Sequence, residues 1–382
     1  MKYYIIAGEA SGDLHGSNLM KGLYAEDPKA VIRFWGGEMM NDVYAGCSAM
    51  TDGGGLVKDY REGAVMGAVE VLRKARTLTA NISNCKKDIL AFAPDVLILV
   101  DYPGFNLRMA KWAHGKSIKV FYYIAPKVWA SREGRCRQIK KYVDKLFIVF
   151  PFEKDYFASK GIDYIYEGNP LVDAVADSVA MQAPCGDGSR KIALLAGSRL
   201  GEVRTMMPHL VEFARKMHAL PAYAQYKFTI AGAPGRTIDD YPVPADVAPY
   251  LKVVFWNTQE IVRGAEVAVV NSGTASLEAV LLDTPQVVGY RFPSNITYFI
   301  ASHIIKVPYI SLGNLCIGRM AFCELRQKDC NADNMVVQVR RILEDEGCRT
   351  QMKADYALIR ESLGGKGASR AVAAAMVSLL TK

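Results

Sequence analysis

The residue best suited to chemistry in this chain is an aspartate that closes an apolar run. Asp101 directly follows the wholly apolar segment Val96–Val100. A carboxylate at the carboxyl end of a buried parallel strand lies at the edge of the sheet where α/β proteins bind their ligands. Partial burial there would raise its pKa and make it a better general base. An aspartate that caps the following turn is the alternative, and the strand-end position favours catalysis.

A glycine-containing loop, Gly8–Asp13, follows another apolar segment and opens a predicted helix. Its two glycines permit a tight turn, and its serine or aspartate can cap the helix. A loop of this kind can hold an anion or a sugar hydroxyl, although a simple capped helix start explains it equally well. It lacks the GxGxxG spacing, and the second predicted strand is followed by Gly36 and Gly37 instead of an acidic residue. These two features argue against a dinucleotide site.

Two loops in the second half of the chain are suited to a nucleotide diphosphate. The first, Ala196–Arg199, offers backbone N–H groups, the hydroxyl of Ser198 and a guanidinium at a predicted helix start. The second, Asn271–Glu278, repeats the arrangement and ends in a glutamate that could hold ribose hydroxyls. A surface turn with a solvated arginine is the alternative for the first loop. A capping box, the alternative for the second, fits its sequence poorly.

These residues need strands and helices that bring them to the edge of a sheet. Apolar runs without polar alternation, separated by helical patterns, are typical of a parallel sheet covered on both faces. In the first half we predict strands over Tyr3–Ala7, Val31–Trp35, Val96–Val100, Val120–Ile124 and Lys145–Val149, with helices over Asp13–Leu23, Ala64–Leu78 and Arg132–Tyr142. In the second half we predict strands over Lys191–Ala196, Lys227–Ala231, Leu251–Phe255, Glu266–Val270 and Gln286–Tyr290, with helices over Glu202–His218, Ala275–Leu282 and most of Ala332–Leu380.

The repeated alternation predicts an α/β protein of two Rossmann-like, doubly wound domains facing a cleft, with a helical C-terminus. The segment Met181–Arg190 is rich in proline and glycine and indicates a linker or long loop. We place an N-terminal α/β domain at residues 1–175 and a nucleotide-binding α/β domain at 176–350. Helices over 351–382 could pack back on the N-terminal domain.

The formal net charge of +8 and the pI of about 8.9 suggest acidic partners such as phosphates, nucleotides or anionic lipid. Nucleic acid is the weaker option, because basic residues do not form a block with interleaved aromatics. The N-terminal apolar stretch is too short for a signal sequence, and no apolar run reaches the roughly 18 residues of a spanning helix. We therefore expect a cytoplasmic protein. The eight scattered cysteines contain no CxxC, so we expect them to be reduced and predict no metal site.

Two further segments suggest surfaces for binding a membrane or a second copy of the chain. On a helix over Ala64–Leu78, four apolar residues share one face and four basic residues, Arg61, Arg73, Lys74 and Arg76, lie nearby, which suits either packing on the sheet or contact with anionic lipid. The apolar, low-charge stretch Tyr298–Ile317 and the long helical C-terminus suggest a homodimer.

Ten short motifs occur in one order along nearly the whole chain and resemble the lipid A disaccharide synthase family. They are GEASGD, MGAVEVL, PDVLILVDYPGFN, APKVWA, FPFEKDYF, GNPLVD, AGSRLGEV, SGTASLE, VVGYR and GNLCIGR. The resemblance implies a GT-B glycosyltransferase with an inverting mechanism and no cofactor. The implied donor is UDP-2,3-diacylglucosamine, and the implied acceptor is 2,3-diacylglucosamine 1-phosphate. A β-1,6 link would form at the inner face of the cytoplasmic membrane, with which the enzyme would associate peripherally.

The resemblance also implies roles for particular residues. Asp101 would be the catalytic base, and Arg199 would hold the donor diphosphate. The acceptor side would be lined by Glu9, Ser11, Gly12 and Asp13, and further substrate contacts would come from Met66, Glu70, Trp129, Gly197, Ser198, Ser272, Gly273, Thr274, Glu278, Arg291, Asn314 and Arg319.

Two other functions remain open from the residues alone. A UDP-sugar 2-epimerase of similar fold would change the sugar of a nucleotide sugar without a lipid acceptor. A non-catalytic nucleotide-sugar-binding protein could keep Arg199 and the SGTASLE loop but would have no reason to place an acid at Asp101.

Overall fold

The computed structural model describes residues 1–47, 53–62, 70–178, 188, 190–292, 294 and 307–381. The chain divides into two compact units. Unit 1 consists of residues 1–174 together with 366–382, and unit 2 consists of residues 175–365. Across the described ranges, no helix has both the length and the apolar character needed to cross a bilayer.

A parallel sheet forms the centre of unit 1. Its strands are β1 (Lys2–Ala7), β2 (Val31–Gly36), β3 (Gly55–Asp59), β4 (Val96–Val100), β5 (Val120–Tyr123), β6 (Lys145–Ile148) and β7 (Tyr164–Tyr166), in the order β3-β2-β1-β4-β5-β6-β7. The helices between them are α1 (Ala10–Glu26), α2 (Glu38–Gly46), α3 (Glu70–Phe92), α4 (Pro103–His114), α5 (Arg135–Tyr142), α6 (Glu153–Ser159) and α7 (Pro170–Ala176). Strands β4 and β5 are buried along their whole length, because apolar side chains fill both faces.

Unit 2 repeats this architecture. Its strands are β8 (Lys191–Leu195), β9 (Lys227–Gly232), β10 (Leu251–Phe255), β11 (Val267–Asn271), β12 (Gln286–Tyr290) and β13 (Glu324–Arg326), in the parallel order β10-β9-β8-β11-β12-β13. Its helices are α8 (Leu200–His218), α9 (Thr258–Arg263), α10 (Thr274–Leu281), α11 (Leu312–Ile317), α12 (Ala332–Glu344) and α13 (Glu346–Leu363). The predicted fold class, two parallel-sheet α/β domains with a helical C-terminus, is confirmed.

The last helix, α14 (Ala368–Thr381), belongs to unit 1 and packs against α1. The buried carboxylate of Asp173 accepts hydrogen bonds from the backbone N–H groups of Gly367, at 2.6 Å, and Ser369, at 2.8 Å. These bonds satisfy donors at the start of α14 that the helix itself leaves unpaired. The domain boundary predicted at residue 351 needs correction, because the continuous helix α13 crosses it and the segment of unit 1 begins at residue 366.

Each sheet reverses its strand order at one place. The reversal lies between β1 and β4 in unit 1, and between β8 and β11 in unit 2. Connections on the two sides of such a point diverge and leave a crevice outside the carboxyl ends of the strands, where open α/β sheets bind ligands. All four loops singled out from the sequence follow these four strands, so the fold places two loops at each reversal.

Candidate active site

Asp101 and Tyr102 connect β4 to α4 in a left-handed backbone conformation, with φ of +44° and +47°. Non-glycine residues in this region cost roughly 1–3 kcal/mol each, so their surroundings must hold them. The carbonyl of Asp101 accepts a hydrogen bond from the hydroxyl of Tyr122 at 2.6 Å and another from Nδ2 of Asn106 at 2.8 Å. Asn106 itself is fully buried. The strand-end carboxylate therefore lies on a strained turn that buried polar groups fix in place.

The loop after β1 touches the turn that carries Asp101. A Cβ atom added to Gly8 would lie 2.3 Å from the ring of Tyr102, which is too close for any other residue to replace the glycine without movement. Glu9 and Ser11 are exposed at the start of α1. Burial raises the pKa of the Tyr102 phenol, and the negative charge of Glu9 adds to this rise. The structure thus brings the Gly8 loop and Asp101 together at the strand reversal of unit 1.

Asp13 faces the interior of unit 1. Its carboxylate accepts hydrogen bonds from the backbone N–H groups of Gly37, at 2.7 Å, and of Met39 and Met40, both at 3.1 Å. It therefore caps the start of α2, and it lies so close to Gly37 that a Cβ atom there would be 2.6 Å from a carboxylate oxygen of Asp13. Gly12 is also buried, where a Cβ atom would lie 3.3 Å from that of Ala7. Both residues serve the fold around the loop, and Glu9 and Ser11 are the members of the motif that reach its surface.

Trp129 is held by a buried glutamate that the sequence analysis did not assign. Glu153 is 1% exposed and accepts hydrogen bonds from Nε1 of Trp129, at 3.0 Å, and from the backbone N–H groups of Val149 and Phe150, at 3.1 Å. Burial raises the pKa of Glu153 to about 7, against the opposing effect of these donors and of the charge on Lys127. Trp129 lies in the segment that leaves β5, the strand next to β4.

In unit 2 the two predicted phosphate loops meet at the reversal between β8 and β11. Gly197 has φ of +110°, and a Cβ atom on it would lie 2.6 Å from Nδ2 of Asn271. Only glycine combines this backbone with so close an approach. The side chain of Arg199 is 72% exposed, with Nη1 3.5 Å from a carboxylate oxygen of Glu202.

One expectation for the first of these loops needs correction. The backbone N–H groups of Ser198 and Arg199 donate to the carboxylate of Glu202, at 3.1 and 3.2 Å. The sequence predicts that these N–H groups are available to a diphosphate. Glu202, in the first turn of α8, already accepts hydrogen bonds from both of them. The groups that the loop offers to an anion are therefore the hydroxyl of Ser198 and the guanidinium of Arg199.

In the second loop, the hydroxyl of Ser272 donates to the carbonyl of Ile310 at 3.0 Å. Gly273 occupies the N-cap position of α10, and Thr274 is exposed beside it. Glu278, one turn further on, is half-buried, and burial raises the pKa of its carboxyl group. A hydrogen bond from the side chain of Gln259, in the first turn of α9, opposes that rise.

Three other residues predicted to contact substrate are engaged within unit 2. Asn314 is completely buried, and its amide bonds to Phe322, to Ala321 and to the carboxylate of Glu324. Arg291 donates to the carbonyls of Gln327, at 2.9 Å, and Cys330, at 3.2 Å. Arg319 pairs with Asp355. Asn314 thus connects α11 to the chain that leads into β13, which is a structural role.

Some predicted positions fall outside the described residues. Met66 is one of them, and so is much of the predicted amphipathic helix and of the apolar stretch 298–317. Glu70 begins α3, but its side chain lies outside the description as well. In the ranges that are described, no three His, Cys, Asp or Glu side chains come together as metal ligands would.

An exposed tryptophan is a further candidate that the sequence analysis missed. Trp256 is 81% exposed, has φ of +72° and follows β10 at the same edge of the sheet as the phosphate loops. A large aromatic side chain in solvent on a left-handed backbone is unusual in a soluble domain. The sequence itself could have indicated this residue, because Trp256 directly follows a predicted strand and comes just before α9, the helix that contains Gln259.

The fold identifies the general class of the protein. Over the whole chain it is similar to UDP-GlcNAc 2-epimerase from Neisseria meningitidis in a structure bound to UDP-GlcNAc, with a TM-score of 0.67 and 15% identity, covering 100% of both chains. It is also similar to spinosyn rhamnosyltransferase, with a TM-score of 0.59 and 12% identity, covering 100% of both chains. Likeness at these identities concerns the fold alone. Two Rossmann-like units of this kind define a protein of the GT-B class.

Sequence comparison identifies the family. The profile of the lipid-A-disaccharide synthetase family matches residues 3–377. The chain is 34% identical to lipid-A-disaccharide synthase of Trichlorobacter lovleyi over 388 residues, 98% of this chain and 97% of the relative. It is 35% identical to that of Myxococcus xanthus over 386 residues, again 98% and 97%. The chain belongs to the lipid-A-disaccharide synthase family and is a glycosyltransferase of lipid A biosynthesis. The epimerases share its fold only.

Proposed function

We propose that the protein joins UDP-2,3-diacylglucosamine to 2,3-diacylglucosamine 1-phosphate through a β-1,6 link and releases UDP. The observation that supports this proposal is that a candidate base lies in one unit and the groups suited to a nucleotide diphosphate lie in the other. Unit 1 places a strand-end carboxylate, Asp101, on a fixed turn at its strand reversal. Unit 2 places two loops with groups suited to a nucleotide diphosphate at its own reversal.

In the proposed reaction, the 6-hydroxyl of the acceptor attacks C1 of the donor. A bond forms between that oxygen and C1, while the bond from C1 to the UDP oxygen breaks. The proton of the hydroxyl passes to the carboxylate of Asp101, and UDP leaves with the bonding electron pair. A single displacement from the side opposite UDP inverts the configuration at C1, which gives the β-link.

Unit 2 is suited to hold the leaving group. The exposed guanidinium of Arg199 can form two parallel hydrogen bonds with a diphosphate and can stabilise the negative charge that develops on it. Glu278 lies one turn into α10, at the end of the second loop, where a carboxylate can accept hydrogen bonds from ribose hydroxyls. The exposed ring of Trp256 offers a surface on which the uracil can stack.

Mass spectrometry of the product formed from defined acylated donor and acceptor tests the proposal. We expect a disaccharide 1-phosphate that carries all four acyl chains, together with one equivalent of UDP. Incubation with the donor alone should leave its sugar unchanged. Epimerisation of the donor sugar without acceptor, or failure to form a disaccharide with both substrates present, would contradict the proposed reaction.

Substrates with two acyl chains lead us to propose that the protein binds membranes peripherally. The helical segment that contains Arg73, Lys74 and Arg76 carries enough positive charge to meet anionic headgroups, at about 1 kcal/mol for each basic residue near the surface. Replacing all three by glutamine should weaken salt-sensitive co-sedimentation with anionic vesicles and leave the circular dichroism spectrum unchanged. Equal vesicle binding by the variant and the parent at low salt would exclude this segment as the membrane contact.

A further inference from the structure

Positive charge is concentrated in the segment that follows β5. Between Ala125 and Tyr142 the sequence has six basic residues and one acidic residue, Glu133. The carboxylate of Glu133 pairs with Lys160, which lies outside this segment. The six basic residues are Lys127, Arg132, Arg135, Arg137, Lys140 and Lys141. The local acid is therefore already engaged, and the segment carries an excess of positive charge.

Two of these arginines, Arg132 and Arg135, lie one backbone turn apart and have no carboxylate partner among the described residues; we call them the arginine pair. Arg135 is half-buried, and its backbone N–H donates to the carbonyl of Arg132 at 2.9 Å. Neither side chain has an ion pair or a hydrogen bond to any other described residue. Burial lowers the pKa of Arg135, and the charge of Arg132 lowers it further. Since both effects disfavour the charged form, an anion bound between the two guanidinium groups would stabilise them.

The segment that carries these arginines leaves β5 beside the proposed catalytic base. Strands β4 and β5 are paired up to their ends, where the backbone N–H of Asp101 donates to the carbonyl of Tyr123 at 3.0 Å. The segment leaving β5 therefore starts beside Asp101. The hydroxyl of Tyr122, which donates to the carbonyl of Asp101, is also close enough to Arg135 for that arginine to oppose the rise in its pKa. Tyr122 thus connects Arg135 to the turn of Asp101.

We propose that Arg132 and Arg135 form the binding site for the phosphate monoester of the acceptor, which rests on the function proposed above. The monoester carries up to two negative charges and three acceptor oxygens, and two planar guanidinium groups match both properties. The phosphate and the attacking 6-hydroxyl belong to the same sugar ring. A phosphate held by Arg135, which Tyr122 connects to the turn of Asp101, therefore brings the attacking hydroxyl toward that turn.

The same segment offers a matched control. Arg135 and Arg137 are two positions apart in α5, which places them about 160° apart around the helix. Arg137 lines a surface pocket of about 330 Å³, and neither Arg132 nor Arg135 is among its lining residues, which are Glu133, Gly134, Cys136, Arg137, Lys140 and Lys160. Its removal changes the charge of the helix by the same amount as removal of Arg135, but on another face.

The test compares Arg132→Gln, Arg135→Gln, Arg135→Lys and Arg137→Gln with the parent in detergent micelles. We expect the first two to raise KM for diacylglucosamine 1-phosphate roughly 10- to 100-fold, as loss of a hydrogen bond to a charged group does, with KM for the UDP-linked donor unchanged. Arg135→Lys retains the charge and the apolar stem and should fall between parent and glutamine, because a lysine lacks the paired donors. Arg137→Gln should match the parent.

A second comparison uses the acceptor without its phosphate. The parent should use this substrate poorly, and the Arg132 and Arg135 variants should lose nothing further with it. Parent-like KM values for the phosphorylated acceptor in both glutamine variants would overturn the proposal. An equal rise in the Arg137 variant would also overturn it and would point to general attraction of the helix to anionic lipid headgroups.

Direct binding separates this proposal from the reaction itself. Glucosamine 1-phosphate, which is soluble and lacks acyl chains, can be titrated into the parent and followed by NMR of the ligand, with glucosamine as the control. The arginine pair should bind the phosphorylated sugar preferentially, and both glutamine variants should lose that preference even if no disaccharide is ever formed. A retained preference in the variants would refute the site, whereas binding without turnover would count against the proposed reaction alone.

Discussion

Glu153→Gln should reveal how the buried carboxylate under Trp129 responds to pH. Glu153 titrates near pH 7 in the folded protein and at its usual value of 4.5 when unfolded. A carboxyl group with a raised folded pKa stabilises the fold most below the unfolded pKa, and this stabilisation is lost as the pH rises through 7. At about 1.4 kcal/mol per pKa unit, the parent should gain about 2 kcal/mol from this group between pH 8 and pH 5.5.

The glutamine variant cannot titrate at this position. Its destabilisation relative to the parent should therefore be about 2 kcal/mol larger at pH 5.5 than at pH 8, or roughly 4–8 °C in the melting temperature of a unit of this size. Three N–H groups donate to the carboxylate of Glu153, and in the variant at least one of them faces the NH2 group of glutamine, which cannot accept. At pH 8 this loss should lower the free energy of unfolding by roughly 1–3 kcal/mol. The assay is thermal unfolding of parent and variant at both pH values, followed by the tryptophan fluorescence. A difference that is constant or smaller at pH 5.5 would show that the pKa of Glu153 is not raised.

Three changes in unit 2 test the nucleotide assignments. Arg199→Ala should weaken UDP binding by roughly 10- to 100-fold. Arg199→Lys should weaken it less, because lysine keeps the charge but cannot make the bidentate contact. If the alanine variant bound UDP as tightly as the parent does, Arg199 would be only a surface residue. Glu278→Gln should weaken UDP by a similar factor but leave 2′,3′-dideoxy-UDP unaffected, and an equal loss with both ligands would remove the ribose assignment. Trp256→Ala should cost about 1–3 kcal/mol of UDP affinity with pyrophosphate binding unchanged, as calorimetry would show, and unchanged UDP affinity would exclude stacking.

Buried parallel strands were the most predictable part of the fold. The bounds of β4, β10 and β12 agree with the sequence prediction at both ends. β4 is a continuous apolar run between Asp95 and Asp101, and the apolar residues of β12 lie between Gln286 and Arg291, so polar residues mark the ends of both strands. The edge strand β10 can be recognised from its β-branched and aromatic residues, although Lys252 interrupts them. The elements that the prediction omitted are mainly short or half-exposed, such as β3, β7 and β13, whose sequences lack such a run.

Helix α4 was omitted for a different reason. It begins at Pro103, directly after the left-handed residues Asp101 and Tyr102, and the Tyr-Pro-Gly sequence is typical of a turn. Proline is also favoured in the first turn of a helix, where its missing N–H has no partner to lose. In the structure the side chain of Asn106, in the first turn of α4, anchors this helix start to the end of β4, and such a tertiary contact cannot be read from the Tyr-Pro-Gly sequence.

The sequence located the loops of the candidate site but not the contacts within them. That Asp13 caps α2, or that Asn314 bonds to Glu324, depends on residues brought together by the tertiary fold. No periodicity or motif spacing contains this information. Glu202, by contrast, bonds to backbone groups three and four residues before it. A glutamate in the first turn of a helix is a local signal that can be recognised from sequence.

The most direct test of the central claim is the turnover of Asp101→Asn. Asparagine has almost the same shape and tolerates the left-handed backbone at this position, so the turn should remain folded. An amide cannot accept the proton of the acceptor hydroxyl, and we predict that kcat falls about 100- to 10,000-fold while calorimetry gives the parent's affinity for UDP. A variant that binds UDP normally and forms the disaccharide at a rate close to that of the parent would contradict the assignment of Asp101 as the base.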